Sequence, residues 1–321
     1  MRRYVAYRFG LMVPTALIAS IVLFGIMRVL PGDVTTVILS GSGSSAHSVE
    51  AREALREELG LDDALPVQYS RWLWSMVNGE LGGRSLTTGE TVRTLVGRQF
   101  SVTLLLTLYA VALSIGISIP VGVLAAVTRN RWPDYLIRVV TSVGQAVPSF
   151  WAALLIILGL LVWFRWSPPI VYVPPWRAPS EHLQIMIIPA LLLAWEYSAH
   201  VTRVTRAAMI EVLSHDYVRT ARAKGLNERT VVWRHSVRNA MIPSTTVLGL
   251  QLGTLLGGTL ILEMIFGLPG LGRGVIQAAV ERDYPVVLSL SVLVVLTMMI
   301  ANLLLDLLST WLDPRLRVPQ G

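Results

Sequence analysis

The sequence predicts an all-α membrane protein that crosses the bilayer six times. Hydrophobic residues fill 53% of the 321 positions and charged residues only 15%, whereas about a quarter of a soluble domain is charged. The chain also holds six apolar intervals close to the ~20 residues that a helix needs to cross a bilayer. Because lipid offers the backbone no hydrogen-bond partners, each crossing must be helical.

The six predicted spans are stretches almost free of charge. In chain order they are Phe9–Met27, an interval within Gln99–Thr128, one within Val139–Phe164, one beginning near Leu183, one within Asn239–Leu262, and Tyr284–Leu305. Glu196 is expected to interrupt the fourth span. The first span follows basic residues as a signal peptide would. Its apolar run is longer than the apolar core of a signal peptide, which has roughly 7–15 residues, so we expect the first span to remain uncleaved.

The basic residues orient the spans with both termini in the cytoplasm. In this orientation the inner segments carry 16 Lys and Arg residues, and the two short outer loops carry four. Cytoplasmic loops of membrane proteins are enriched in Lys and Arg, so this imbalance predicts the direction of insertion. The net charge of +7 is then explained by topology and does not indicate a nucleic-acid partner.

The predicted organisation has three parts: residues 1–29 with the first span, residues 30–98 as a large external loop, and residues 99–321 as the core. In the external loop, Val49–Leu59 is predicted to form an amphipathic helix that ends at Gly60. Trp72 and Trp74 follow in an aromatic patch. This patch either rests on the outer membrane surface or contacts an external partner. The second outer loop, Trp166–Pro179, is rich in Pro and Trp and is expected to lie along the interface.

Motifs for catalysis are missing from the sequence. It has no phosphate-binding G-x-x-x-x-G-K-[ST] loop and no cysteine, and its five histidines have no ligand spacing. We therefore expect no catalytic residue and no metal site. The glycine-rich stretch Gly267–Gly274 indicates a turn after the fifth span. A membrane-embedded enzyme and a secondary transporter that works alone remain alternative classes.

Several polar residues fall inside predicted spans, where they usually face a helix bundle or a water-filled path. They either line a translocation path or satisfy one another in a packed bundle. Glu196 and His200 share one helix face with Arg203, so a self-satisfied stripe is one interpretation. The candidate path residues are Gln145, Glu196, His200, Gln251 and Asn302.

A basic segment, Asp216–Pro243, lies between the fourth and fifth spans, on the predicted cytoplasmic side. Small residues surround Gly225, which permits a left-handed turn, so a short helix could enter a groove of another protein. Apolar residues such as Val218 and Val231 would not suit a fully solvated loop. We predict that residues 207–242, which include nearly all of this basic segment, couple the chain to a partner. The candidate residues are Tyr217, Arg219, Thr220, Ala221, Arg222, Ala223, Lys224, Gly225 and Leu226.

The segment resembles the coupling motif of permease subunits of binding-protein-dependent ABC importers, in the dipeptide, oligopeptide and nickel branch. Arg219-Thr220-Ala221 stands at the place of Glu-Ala-Ala, and Gly225 is the motif glycine. The arginine and the distant Pro243 depart from the general pattern in the way usual for this branch. Further matching motifs follow one another at Arg28–Asp33, Leu59–Asp62, Pro66–Tyr69, Gly79–Gly82, Phe266–Gly272, Arg282–Pro285 and Leu312–Arg315.

The resemblance implies a type I importer permease, the first of a pair, in the cytoplasmic membrane of a bacterium or archaeon. It implies a second homologous permease, two ATP-binding subunits or one fused subunit, and an extracytoplasmic substrate-binding protein as partners. ATP and Mg²⁺ would be bound by the partner subunits, and this chain would need no cofactor. The implied cargo is di- or oligopeptides, with nickel chelates, glutathione, haem or oligosaccharides as alternatives.

Overall fold

A computed structural model describes residues 2–29, 35, 39, 49–58, 60–169 and 171–312. These residues are mainly helical, and the one antiparallel bridge among them joins Arg84 to Thr91. The helices are α1 Arg2–Val29, α2 Val49–Glu58, α3 Leu65–Val77, α4 Val92–Val127, α5 Trp132–Ala146, α6 Ser149–Phe164, α7 Pro179–Leu213, α8 Asp216–Ala223, α9 Glu228–Thr230, α10 Val237–Ile265, α11 Leu271–Val280 and α12 Tyr284–Leu312. A π-helical turn, Val231–Ser236, joins α9 to α10.

Four helices of the described residues are long and apolar enough to cross a membrane. They are α1, α4, α7 and α12, and the bent pair of α5 and α6 would make a fifth crossing. The 29-residue α10 covers the predicted fifth span. The expectation of a helical protein that crosses the membrane several times is confirmed. The count of six spans and the inward orientation of both termini remain predictions.

The structure divides one predicted span and overturns one detail of another. The third interval holds the end of α5 and the whole of α6, which meet at an angle of 102°. Pro148 disfavours helical geometry at the residue before it, and Val147 is accordingly extended, with φ −95° and ψ 116°. Glu196 does not interrupt the fourth span, since α7 runs unbroken through it.

The backbone forms two compact units. The first comprises Met1–Thr103 and Pro269–Met299. Its core joins the external segment, named here for residues 60–91 of the predicted external loop, to α1 and α12. Phe24, Trp72 and Leu288 are among the buried members. The Trp72 indole N–H donates a hydrogen bond to Ser289 Oγ at 3.2 Å. The predicted amphipathic helix is present as α2, and Gly60 after it has a left-handed φ of +60°.

Asp283 ties the external segment of the first unit to its C-terminal helices. Its carboxylate is buried and accepts hydrogen bonds from the hydroxyl groups of Ser85 and Thr87. Both donors stand beside the single bridge of the external segment. The Arg282–Pro285 motif therefore has a structural use here, which is to hold the external segment against the start of α12.

The second unit comprises Leu104–Leu268 and Ile300–Gly321, and α7 is its centre. Gly122 of α4 lies so close to Thr205 of α7 that any side chain in its place would force a shift. The Thr205 hydroxyl in turn shares a 2.9 Å hydrogen bond with Ser244 Oγ of α10. The three helices are thus joined at one level, close to the end of α7 that leads into the basic segment.

Some predicted features fall wholly or partly outside the described residues. These are the Arg28–Asp33 motif, the start of the Leu59–Asp62 motif, and the end of the Leu312–Arg315 motif. The three-part division at residues 29 and 98 remains a prediction. The glycine-rich stretch does form a turn: Gly267 is left-handed, and Leu268 N–H bonds back to the Glu263 carbonyl at 2.9 Å.

Candidate functional site

The basic segment begins with the short helix α8, and the sequence sets both of its ends. Asp216 in the first turn places a carboxylate where the helix dipole favours negative charge. Gly225 ends the helix in a left-handed conformation, with φ +76°. Its N–H bonds to the Arg222 carbonyl at 2.9 Å, and Leu226 N–H bonds to the Ala221 carbonyl at 3.3 Å. This pair of bonds is a Schellman cap, and it turns the chain back toward α9.

An ion pair closes the turn that Gly225 makes. Arg222 donates from Nε to Glu228 Oε2 at 3.1 Å and from Nη2 to Oε1 at 2.6 Å. The hydrogen bond from Arg222 lowers the pKa of Glu228 below its usual value, and the same bond raises the pKa of Arg222. Both side chains are largely exposed, so the pair fixes geometry more than it adds stability.

One face of α8 packs on the chain itself. Val218 and Ala221 are buried against Val231 of the π-helical turn, with Leu213 beside them. Within that turn, the buried Ser236 hydroxyl donates to the Val231 carbonyl at 3.0 Å. π-Helical turns inside longer helices are frequent at functional sites. Ala221 therefore holds α8 against the π-helical turn and is too buried to contact a partner.

The opposite face of α8 is exposed and carries small side chains. At 100° per residue, Asp216 and Ala223 lie opposite the buried pair, and Arg219 and Thr220 stand on either side of them. Small side chains allow close approach of another surface, and an arginine can add directional hydrogen bonds to an acidic partner. The other exposed candidates in the segment are Tyr217, Arg222, Lys224, Gly225 and Leu226.

The segment is connected to the helices that enter the membrane. Asn239 of α10 donates from Nδ2 to the Tyr217 hydroxyl at 2.8 Å, which joins α8 directly to α10. A buried cluster then links Val232 of the π-helical turn to Met209 of α7 and Val123 of α4. A displacement of α8 would therefore act on three long helices of the second unit, α4, α7 and α10.

The predicted path residues differ in their exposure and in their hydrogen-bond partners. Gln145 is exposed at the end of α5, where its Oε1 accepts a hydrogen bond from Arg203. Arg203 thus bonds to a neighbouring helix, while Glu196 and His200 stay half-buried on α7. Asn302 is exposed on α12. The Gln251 side chain lies outside the described residues.

The two predicted external contacts have different surroundings. Trp74 is 68% exposed on α3, so it can reach a partner or the membrane surface. The prediction for Trp72 is wrong. Its side chain is 8% exposed and packs in the core of the first unit, where its N–H is satisfied by Ser289. Two tryptophans two residues apart on a helix point in different directions, and the sequence did not show which one was buried.

Sequence reasoning also missed two residues that connect the helices around the basic segment. Asn239 was assigned only as the edge of a span. Asp134 was passed over, although it is the single acid between Arg129 and Arg138 and so stands out in a basic loop. Its carboxylate is buried and forms a bidentate pair with Arg206 of α7. Among the described residues no cluster of three His, Asp or Glu side chains could hold a metal ion.

The long apolar helices define the chain as a protein that crosses a membrane several times. The chain belongs to the family described as binding-protein-dependent transport system inner membrane component, whose profile matches residues 118–318. The N-terminal domain of such components matches residues 1–107. The chain is therefore a multi-pass protein of the cytoplasmic membrane and a permease component of an ABC importer, in which separate subunits hydrolyse ATP.

Curated relatives match almost the whole chain. It is 39% identical over 305 residues to a putative peptide transport system permease protein of Brucella abortus, covering 95% of this chain and 96% of that one. It is 36% identical over 318 residues to the oligopeptide permease AppB of Bacillus subtilis, covering 98% and 99%. It is also 36% identical over 317 residues to the glutathione permease GsiC of Escherichia coli, covering 99% of each.

Solved structures support the same fold. The inward-facing MetNI methionine ABC transporter superposes with a TM-score of 0.55 at 19% identity, covering 68% of this chain and 97% of that one. An amino acid ABC transporter gives a TM-score of 0.50 at 19% identity, covering 67% and 93%. The expected importer permease fold is confirmed by these two likenesses.

Proposed function

We propose that this chain forms half of the translocation path of an ATP-driven importer for di- or oligopeptides. Several relatives over nearly its full length are named as peptide permeases, which supports this cargo. An external binding protein would deliver the peptide, and a second, homologous permease would complete the path. Two ATP-binding subunits, or one fused subunit, would bind ATP and Mg²⁺.

The observation that carries the proposal is that α8 is packed on one face and exposed on the other. Its inner face, Val218 and Ala221, is fixed on the π-helical turn, while Thr220 and Ala223 are exposed. A helix anchored on one side and free on the other can receive a push from a docked ATPase. The push would pass to α7 and α10 through their contacts with the segment. Closure of the ATPase pair would then favour one of two discrete arrangements of the path.

The path residues remain part of this proposal. Gln145, Glu196, His200, Gln251 and Asn302 would face water or the second permease during transport. The exposure of Gln145 and Asn302 in the single chain is compatible with this role. Trp74 would contact the external binding protein, while the alternative contact of Trp74 with lipid stays open.

A glutathione importer is the second candidate, because one relative of full-length similarity is named as a glutathione permease. Glutathione is itself a small peptide, so both candidates need the same kind of path. The external binding protein would then make the choice between them.

The test is reconstitution of the complete importer in proteoliposomes with its encoded partners. We expect the ATPase subunits to co-purify with this chain, and the loaded binding protein to stimulate ATP hydrolysis. Radiolabelled trialanine, glutathione and nickel–histidine are offered separately as cargo. ATP-dependent uptake of trialanine alone supports a peptide importer, and uptake of glutathione alone supports the second candidate. Uptake without any ATPase subunit would contradict both.

A further inference from the structure

Helix α5 is joined to α7 with little apolar contact. The buried residues of α5 are Asp134, Thr141 and Gly144, and most of its large apolar side chains are exposed. Gly144 allows a close approach to Trp195 of α7 but supplies no side chain of its own. Burial of apolar side chains therefore contributes little to this contact, and polar groups must set the position of α5 against α7.

Asp134 is the polar group with the most complete set of bonds. Its side chain has no exposed surface. Oδ1 accepts from Arg206 Nε at 2.7 Å and Oδ2 from Arg206 Nη2 at 2.8 Å. Oδ2 also accepts the Asn130 backbone N–H at 3.0 Å. One carboxylate thus joins the turn after α4, the first turn of α5 and the last third of α7.

This geometry makes the contact specific. Two parallel N–H···O bonds between a guanidinium group and a carboxylate fix both distance and orientation. Separating a buried pair leaves an uncompensated charge, which is strongly unfavourable. Arg206 lies about two helical turns before the end of α7 at Leu213, and α8 follows directly. The pair therefore stands between the docking helix and the membrane part of α7.

We propose that Asp134 and Arg206 are positioning residues that make α5 move together with α7 when a partner displaces α8. The proposal rests on the coupling role given to α8 above. Without the pair, α7 would still respond to the ATPase, but α5 would lag behind it. ATP would then be hydrolysed with less transport.

The chain has no cysteine, so the relative movement of the two helices can be measured with introduced labels. Arg131 beside α5 and Glu211 on α7 are both exposed. We would attach spin labels to R131C/E211C within the assembled importer and measure their distance without nucleotide and in an ATP-trapped state. We expect the same distance in both states, and a nucleotide-dependent change once D134N is added. The uptake of trialanine per ATP hydrolysed should fall about fivefold or more, the lower end of usual coupling effects.

R138Q is the matched control. Arg138 lies on the same helix, 3.7 Å from the same carboxylate, and its Nε has no hydrogen-bond partner among the described residues. R138Q removes one unit of charge, of opposite sign, without removing an α5–α7 hydrogen bond, so we expect an unchanged label distance and wild-type uptake. If D134N does not assemble, R206K keeps the charge but loses the bidentate geometry, and a smaller shift of the same kind is expected.

Two results would overturn the proposal: a nucleotide-independent distance in D134N and R206K, or an equal change in R138Q. Failure of the proposed function would look different, because the ATPase subunits would then not co-purify with the unsubstituted chain. Thermal stability of each assembled complex is measured in parallel. A change in label distance that depends on nucleotide is not expected from a loss of stability alone.

Discussion

Asn239 of α10 donates a 2.8 Å hydrogen bond to the hydroxyl of Tyr217 on α8. The bond joins α8, the proposed docking helix, to the long helix α10, and both residues are exposed. We expect Tyr217→Phe, which removes only the hydroxyl, to lower uptake per ATP hydrolysed while the ATPase subunits still co-purify. A net hydrogen bond contributes about 1 kcal/mol, so the loss should be partial.

A double-mutant cycle checks this interpretation. If the two side chains act through one bond, Asn239→Ala should add little to the effect of Tyr217→Phe. Fully additive effects would show that the two residues act separately.

Gly225 makes the turn after α8 possible. Its φ of +76° is strained for other residues, but the space around it is open, because no atom lies within 4 Å of an added Cβ. Gly225→Ala should therefore cost only the left-handed backbone strain, about 1–2 kcal/mol, and should loosen the turn. We expect weaker retention of the ATPase subunits at equal amounts of inserted chain.

Gly79 provides the control for that substitution. It too has a positive φ, +85°, and open space around its Cβ position, but it lies in the external segment. Gly79→Ala should carry a similar backbone cost and leave ATPase retention unchanged. Equal losses in both variants would mean that retention follows stability and not the shape of the turn.

The two faces of α8 can be separated with one kind of substitution. Ala223→Trp adds bulk to the exposed face, so we expect normal thermal stability of the purified chain and loss of ATPase co-purification. Ala221→Trp adds the same bulk to the face packed on Val231. Overpacking a filled site typically costs 1–3 kcal/mol, so this variant should lower thermal stability first. Equal stability and equal docking in the two variants would contradict the assignment of faces.

The limits of sequence reasoning are visible in α8 and in α5. The small residues around Gly225 predicted a docking helix with a glycine turn, because these features are local in the chain. The pattern did not show that Ala221 faces inward, since this depends on Val231, which follows the turn. The same holds for Asp134. Its isolation among arginines was visible, but its partner Arg206 lies 72 positions away, and only the packing of α5 on α7 brings them together.

The break between α5 and α6 shows a case in which local chemistry was informative but was not used. Pro148 restricts the backbone of Val147, and this effect is known from the dipeptide alone. A count of apolar residues ignores it, so the interval Val139–Phe164 appeared as one span. Glu196 shows the opposite error. A single acid lowers mean hydropathy, but it does not end a helix whose neighbours are buried on both sides.

The Arg222–Glu228 pair gives a defined pH dependence. Its hydrogen bond lowers the pKa of Glu228 below the usual 4.5. The stability it adds is therefore fully present above pH 4.5 and is lost as the pH falls through the lowered pKa. Because both side chains are exposed, we expect Glu228→Gln to cost at most about 1 kcal/mol at pH 7. Thermal unfolding should show this difference at pH 5 and pH 7, shrinking only in more acidic buffer. A stability difference between the two variants that appeared only in acid would contradict this pH dependence.

The two tryptophans of α3 separate a structural role from a contact with an external partner. Trp72 is buried and donates to Ser289. Replacing a buried tryptophan with alanine typically costs 3–5 kcal/mol, so Trp72→Ala should lower thermal stability markedly.

Trp74 is 68% exposed, and Trp74→Ala should leave stability unchanged. If Trp74 contacts the binding protein, this variant will need more of that protein for half-maximal stimulation of ATP hydrolysis, while basal hydrolysis stays the same. An unchanged stimulation curve would assign Trp74 to the membrane surface instead. Trp176, exposed in the predicted second outer loop, is the matched control, and its replacement by alanine should leave the curve unchanged.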